Sequence, residues 1–285
     1  SSVANNGQMH VKSYSIMKKV ILVISSKTQA TSSAFIREFE KLGGALDGIY
    51  HITHPKPKSN SLKSAFRFLK VFKPSKLKQL FSTFLTTKYG MQSMDELKKM
   101  WDVQGENSWD VLEKGMDIFA YAKNKGIPTT EAPLTTETIS DLTASGPVIF
   151  PMYGGGILSA KILSNPKAEF MNSHMGEMPY YKGMNVMEWA ILEEASPKAT
   201  VMVMNEKIDG GDVVWEKEIN ISNEKSIKEL RTTGYNGCFQ AMAEGIINYQ
   251  KDSSLREAQA KGSKFYYRMH HQIRATIESN LPLSR

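Results

Sequence analysis

The run Val20-Ile21-Leu22-Val23-Ile24 constrains the fold more than any other stretch. Five consecutive branched aliphatic residues have no wet face to offer, so the strand they form is covered on both sides, as in a parallel sheet flanked by helices. Residues 25–31 make the polar turn that follows. Residues 33–42 carry Phe35, Ile36, Phe39 and Leu42 on one helical side, Gly43-Gly44 ends that helix, and residues 46–52 begin a second strand. That is a βαβ unit. The run is also too short for a secretory core of about 7–15 apolar residues or for the roughly 20 that span a bilayer. With one cysteine, Cys238, the 285-residue chain cannot close an internal disulfide, and a reducing, cytoplasmic setting is expected.

From Gly48 to Met94 there is no acidic residue, while Lys56, Lys58, Lys63, Arg67, Lys70, Lys73, Lys76, Lys78 and Lys88 add nine positive charges, more than the net +7 of the chain. Leu62, Phe66 and Leu69, then Leu77, Leu80, Phe81 and Phe84, fall at helical spacing on either side of Pro74. This predicts a basic helical insertion over 55–94. Lysine-rich amphipathic helices suit a solvated hairpin, and the alternatives for 55–88 are peripheral contact with an anionic membrane, a clasp on a phosphorylated acceptor and, least favoured, RNA.

The βα rhythm resumes at 116–122, passes Gly126-Ile127-Pro128 and a helix near 136–144, and reaches a buried strand at 147–150. Strands over 169–173 and 199–204 are separated by a helix over 184–194. Ser226 caps a last long helix striped with Ile227, Leu230, Phe239, Met242 and Ile246. The reading is an α/β fold, a mostly parallel twisted sheet with helices on both faces. Residues 1–16 are polar and aperiodic, a disordered leader or tag ahead of Met17; 17–250 form the main domain; 251–285 form a C-terminal extension. In that extension Phe265-Tyr266-Tyr267 reads as a strand fastening the tail, with an acceptor-stacking surface as the rival reading.

The chemistry concentrates after the strand at 169–173. Asn172-Ser173-His174 is followed by Pro179-Tyr180-Tyr181-Lys182-Gly183 and then by Ile208-Asp209-Gly210-Gly211-Asp212. Residues i and i+2 of a strand share a face, so Asn172 and His174 point into one cleft at the strand ends, where open α/β sheets place their sites. Asp209, on a loop loosened by two glycines, closes the triangle, with Asp212 as its competitor. Gly154-Gly155-Gly156 lacks the Gly-Lys-(Ser/Thr) of a phosphate loop and reads as a tight turn. His51 and His54, with no carboxylate or thiolate nearby in the sequence, give no convincing metal site.

Over residues 147–214 the chain resembles the N10-formyltetrahydrofolate-dependent formyltransferases, which include glycinamide ribonucleotide transformylase, methionyl-tRNA formyltransferase and the sugar N-formyltransferases. The resemblance rests on Tyr153-Gly154 with Ile157-Leu158, the Asn-x-His element, Pro-x-Tyr-Lys-Gly, Glu188-Trp189-Ala190-Ile191-Leu192, Thr200-Val201 and Asp209-Gly-Gly-Asp. Two departures stand out: His174-Met175-Gly176-Glu177-Met178-Pro179 where many members read His-x-Ser-Leu-Leu-Pro, and Asp209-Gly210-Gly211 for the commoner Asp-Thr-Gly. The resemblance implies a Rossmann-like formyltransferase fold, N10-formyltetrahydrofolate as formyl donor and no metal. It implies Asn172, His174 and Asp209 as the catalytic three, and Met152, Tyr153, Gly154, Ile157, Asn205, Ile208 and Asp209 as folate-binding positions.

The residue chemistry is consistent with that implication. An attacking amine must lose a proton, and His174 is the sensible base or proton relay, imidazole being the side-chain type suited to general base work. The carbonyl oxygen must take up negative charge, toward which Asn172 can donate. Asp209 orients His174 or passes the proton on. The expected acceptor is a small-molecule primary amine, with a nucleotide-linked amino sugar preferred. A (hydroxy)ornithine-type amino acid or glycinamide ribonucleotide stands next, and nucleic acid is disfavoured. A formyltetrahydrofolate hydrolase and a non-catalytic binding protein built round the basic segment are the rivals outside transfer. A homodimer is compatible with the sequence.

Overall fold

The computed structural model of the protein describes residues 17–53, 112, 115–153, 158–262 and 264–282. The leader 1–16, the basic insertion 55–94, His54, Gly154-Gly155-Gly156 and Ile157 therefore lie outside the described residues. Strand β1 (Lys19–Ile24) sends Val20, Leu22 and Ile24 into one hydrophobic cluster and Ile21 and Val23 into a second. Its unbroken apolar run follows from that two-sided burial.

Helix α1 (Ala30–Lys41) and strand β2 (Gly48–Ile52) complete the first βαβ unit, and Ile21 to Ile24 pair in parallel with Gly48 to His51. The helix begins three residues before the sequence reading placed it. Thr31, Ser32 and Ser33 look like loop residues but are buried in its first turn, and the Ser33 hydroxyl donates to the Gln29 carbonyl. Helix α2 (Ile118–Lys125), strand β3 (Thr129–Ala132), helix α3 (Thr136–Leu142), strand β4 (Val148–Pro151), helix α4 (Ala160–Leu163) and strand β5 (Ala168–His174) follow. Then come the two-residue strand β6 (Lys182–Gly183), helix α5 (Val186–Leu192), strands β7 (Lys198–Val203) and β8 (Asp212–Glu218), and the 25-residue helix α6 (Ile227–Lys251).

The main sheet runs β3-β2-β1-β4-β5-β7-β8, parallel through its first five strands and antiparallel in the last two. It is a mostly parallel, Rossmann-like α/β sheet. Helices α1 and α6 pack on each other, and α6 also lies on β5, β7 and β8, enclosing the larger core. Ile139 of α3 and Ile162 of α4 join the second cluster on the other face.

Strand β8 has no counterpart in the sequence reading. Its sequence Asp-Val-Val-Trp-Glu-Lys-Glu follows a Gly-Gly pair and leaves only Val214 fully buried. Beyond α6 a 3-10 turn (Ser253–Leu255) leads to strand β9 (Phe265–Tyr266) and helix α7 (His271–Ser279). Strand β9 pairs in parallel with β6, so the Phe-Tyr-Tyr stretch does fasten the extension to the domain. Among the described residues no helix is long and apolar enough to cross a membrane.

Candidate active site

Strand β5 changes character halfway along. Ala168 and Phe170 pack with Ile162 and Leu163 in the second core, while Met171 fills the first. Strand alternation puts Asn172 and His174 in the row of Ala168 and Phe170, and cross-strand pairing sets them opposite Met202 and Thr200 of β7. Both are half-buried, so the strand that is core at its start carries polar groups at its end.

His174 is held at both nitrogens' sides. Its Nε2 lies 3.1 Å from the Tyr181 carbonyl oxygen, and its Nδ1 lies 3.8 Å from Oδ1 of Asp209. A carbonyl only accepts, so in neutral His174 the proton sits on Nε2 and the lone pair on Nδ1 faces Asp209. At 3.8 Å that contact is an electrostatic one, beyond direct hydrogen-bond distance. The other carboxylate oxygen, Oδ2, accepts the Gly183 amide at 2.9 Å. Asn172 makes no hydrogen bond through its carboxamide among the described residues, which leaves its NH2 donors free.

The loop carrying Asp209 is tightly tied. Asp209 adopts φ 49°, in the left-handed region. A Cβ on Gly211 would meet the Val203 carbonyl oxygen at 1.9 Å, so the loop returns against β7 closer than any side chain allows. Asp212, the competing carboxylate, instead pairs with Arg256 at 2.8 Å.

The positions expected to bind folate divide. Met152 and Tyr153 are buried, the Tyr153 ring lying against Phe35 and Phe239, so these two offer backbone and not side chain to a ligand. Burial raises the Tyr153 phenol well above its ordinary value, and its hydroxyl has no partner among the described residues. The Tyr153 carbonyl accepts from Gln29 Nε2 at 2.5 Å, joining the loops after β4 and β1. Asn205 and Ile208 are exposed on the β7–β8 loop.

Next to the site, burial pushes the Lys182 ammonium down while nearby Asp209 pulls it back up. Burial, then hydrogen bonding to Glu193, raises the Tyr181 phenol to about 12. Glu193 also accepts from Tyr266 at 2.7 Å and from Lys264, and Tyr181 stacks on Tyr266. Trp189 donates its ring N–H to the Tyr267 carbonyl at 3.0 Å, a packing role. Among the methionines near the motif, Met171, Met178 and Met187 are core, and Met184 is exposed.

His51 has a carboxylate neighbour that the sequence reading missed. Parallel pairing of β2 with β3 brings Glu131 Oε2 within 3.0 Å of its Nδ1. Among the described residues no group of three His, Cys, Asp or Glu side chains is disposed to hold a metal ion. Sequence reasoning also missed Gln259, which donates to the carbonyls of Asp209 and Gly211 at 3.1 and 2.7 Å. A lone glutamine in a polar tail gives no signal.

Residues 113–243 match a protein family described as formyl transferase. The chain is 25% identical over 196 residues to a methionyl-tRNA formyltransferase from Clostridium acetobutylicum, covering 65% of this chain and 63% of that one. It is 30% identical over 115 residues to a methionyl-tRNA formyltransferase from Prochlorococcus marinus, covering 39% and 35%. The chain thus spans less than two thirds of the length of either relative. Among solved structures it is similar to phosphoribosylglycinamide formyltransferase from Anaplasma phagocytophilum, with a TM-score of 0.48, 13% identity, and 88% and 99% of the two chains covered. It is also similar to an N-formyltransferase from Helicobacter canadensis in complex with folinic acid and dTDP-3-aminofucose, with a TM-score of 0.46, 16% identity, and 88% and 71% covered.

Proposed function

We propose, from the premise that the chain belongs to the formyl transferase family, that it moves a formyl group from N10-formyltetrahydrofolate to a primary amine through Asn172, His174 and Asp209. The observation that carries this reading is the 3.8 Å approach of His174 Nδ1 to Asp209 Oδ1, with the Asn172 carboxamide, unpartnered among the described residues, two residues before the imidazole on β5. An amide donor, a basic nitrogen and a carboxylate are the set an acyl group needs: one to take up charge on oxygen, two to remove a proton.

When bound, the folate supplies the formyl carbon as an electrophile. Asn172 donates to the formyl oxygen as it gains negative charge, a contribution worth about 2.7–4 kcal/mol where comparable donors have been removed. His174 Nδ1 takes the proton that the attacking amine loses, and the imidazolium so formed faces the Asp209 carboxylate. The Tyr181 carbonyl keeps Nε2 protonated and the ring in place. The new C–N bond to the amine forms as the bond to the folate nitrogen breaks, and that nitrogen takes back a proton. No side chain is formylated, so no nucleophilic serine or cysteine is required.

For the acceptor we put forward an amine on an anionic carrier, a nucleotide-linked amino sugar, consistent with the net charge of +7. Methionyl-tRNA is the second reading, favoured by the names of the curated relatives. The test is one screen: purified protein with N10-formyltetrahydrofolate and, separately, a nucleotide-linked 3- or 4-amino sugar, the free sugar, hydroxyornithine, glycinamide ribonucleotide, methionyl-tRNA and no amine. Mass gain of one formyl group on the nucleotide-linked sugar, faster than on the free sugar, is the expected result. Preference for methionyl-tRNA installs the second reading. Rapid formate release without amine overturns transfer in favour of hydrolysis.

A further inference from the structure

We propose that Gln259, in the segment beyond α6, is a positioning residue for this site: it fixes the backbone from which Asp209 presents its carboxylate to His174. The inference rests on the roles given to His174 and Asp209 above. Gln259 lies outside the stretch that matches the family, which ends at residue 243.

The loop it holds needs holding. Asp209 sits at φ 49°, in the left-handed region that few residues other than glycine adopt and that aspartate tolerates better than most. Gly210 and Gly211 come next, and two glycines in succession leave a loop more conformations than any other pair. Three consecutive carbonyls are nonetheless each taken by a side-chain amide. Asn205 Nδ2 donates to Gly210 at 2.7 Å, and the single NH2 of Gln259 donates to Asp209 at 3.1 Å and Gly211 at 2.7 Å. The Gln259 amide therefore spans the glycines and holds the peptide planes before Gly210 and after Gly211, while Asn205 holds the plane between them.

The orientation of that amide is fixed by chemistry, since carbonyls only accept and the NH2 must face them. Its own oxygen, Oε1, is buried with no partner among the described residues. A buried acceptor left unpaired is costly, so what Gln259 contributes through its donors has to exceed that cost.

The same segment supports the site's other side. At β9 the carbonyls of Lys264, just before the strand, and Tyr266 accept from Lys182 and Met184 at 3.2 and 2.9 Å. Between those two residues stands Gly183, whose amide holds Asp209 Oδ2. Gln259 and β9 thus grip the backbone of Asp209 and the residue that holds its side chain.

The experiment is a double-mutant cycle on the full chain. Gln259→Leu keeps the volume and removes both donors, and Gln259→Glu is the second variant, keeping the shape and polarity. Each should lower kcat about tenfold, with KM for the amine within about twofold, because the amine does not rest on the Gln259 loop contacts. In an Asp209→Asn background the same substitution should cost less than about twofold, since a residue acting through Asp209 has nothing left to position. Equal losses in both backgrounds, or wild-type kcat in both variants, would overturn the proposal. Hydrogen exchange of the Gly183 amide supplies a readout free of the reaction, and protection there should fall about tenfold in Gln259→Leu. If the wild-type protein transfers no formyl group, the functional reading fails, and unchanged Gly183 exchange would then sink the positioning as well.

Discussion

The backbone amide of Gly183 holds Oδ2 of Asp209 at 2.9 Å, and this single bond turns the other carboxylate oxygen toward His174. One short strand thereby governs the carboxylate, while the adjoining Tyr181 carbonyl governs the imidazole. The three polar groups of the site come from one strand end and one loop, yet their geometry is set by backbone atoms of a third element. Conservative changes to that element should therefore be felt in the chemistry.

Under the proposed mechanism, loss of His174, Asn172 or Asp209 should be the most severe. His174→Ala should lower kcat about 10²–10⁴-fold, the usual contribution of a positioned base. Asn172→Ala should lower it about 10²–10³-fold through loss of an oxyanion donor. Asp209→Asn keeps an oxygen for the Gly183 amide but removes the charge facing His174, and should fall in the same range as His174→Ala. Single-turnover formyl transfer checks all three, with far-UV circular dichroism expected to match the parent. Near-normal turnover by His174→Ala at neutral pH would remove the site from consideration.

Gly183→Ala should damage both fold and turnover. Gly183 has φ 99°, where a side chain is strained, and an added Cβ would lie 2.1 Å from the Tyr266 carbonyl oxygen and 3.0 Å from the Phe265 ring. The strand pairing of β6 with β9 has to open, costing about 1–3 kcal/mol for the strained backbone alone, and the bond to Asp209 goes with it. A lowered thermal midpoint together with a kcat loss larger than that of Gln259→Leu is the expected outcome. Wild-type values for both would show that the pairing does not reach the site.

The sequence announces what depends on residue type and conceals what depends on backbone. The Val20 to Ile24 run, the stripe of α6 and the Asn-x-His, Tyr-Lys-Gly and Asp-Gly-Gly elements were readable because each needs particular side chains at particular spacing. Strand β3, Thr-Thr-Glu-Ala, shows only exposed or half-buried residues and no alternation, and β6 and β9 have two residues each, below any periodicity. The roles of Tyr181 and Gly183 run through a carbonyl and an amide that every such residue possesses. Gln259 was illegible for a related reason, because its partners are carbonyls brought near by folding. Gly183 was the nearest thing to a readable clue.

Cys238 should be inert in the native protein. Burial pushes its thiol up to about 12 from the ordinary 9.0, so the thiolate that reacts with alkylating reagents is scarce. Iodoacetamide at pH 9 should leave the folded chain unlabelled and label it in urea. The linkage has a definite sign: the native state keeps the proton that the unfolded state gives up. Stability from this group is complete below pH 9 and declines as pH rises from there toward 12. Chemical denaturation at pH 8 and pH 10 should show the loss, and Cys238→Ala should flatten the part of the difference that this thiol causes. Rapid native labelling would contradict the burial argument.

The ion pair of Glu188 with Arg231 ties α5 to α6 and should be the most expensive polar contact to break. Arg231 donates through Nε and Nη2 to one carboxylate oxygen at 2.8 and 2.6 Å, with side-chain exposures of 11% and 3% for Arg231 and Glu188. Asn185 adds a bond to the same oxygen at 3.2 Å. Two charges removed from water gain little net stability from each other, but removing one strands its partner, at about 3–5 kcal/mol. Arg231→Met should therefore lower the midpoint of urea unfolding sharply, as should Glu188→Leu. The double variant, which leaves no stranded charge, should recover much of the loss, and because neither residue touches the reacting groups, its kcat should stay within about twofold of the parent. Additive losses in the double variant would show instead that each side chain is held by separate contacts.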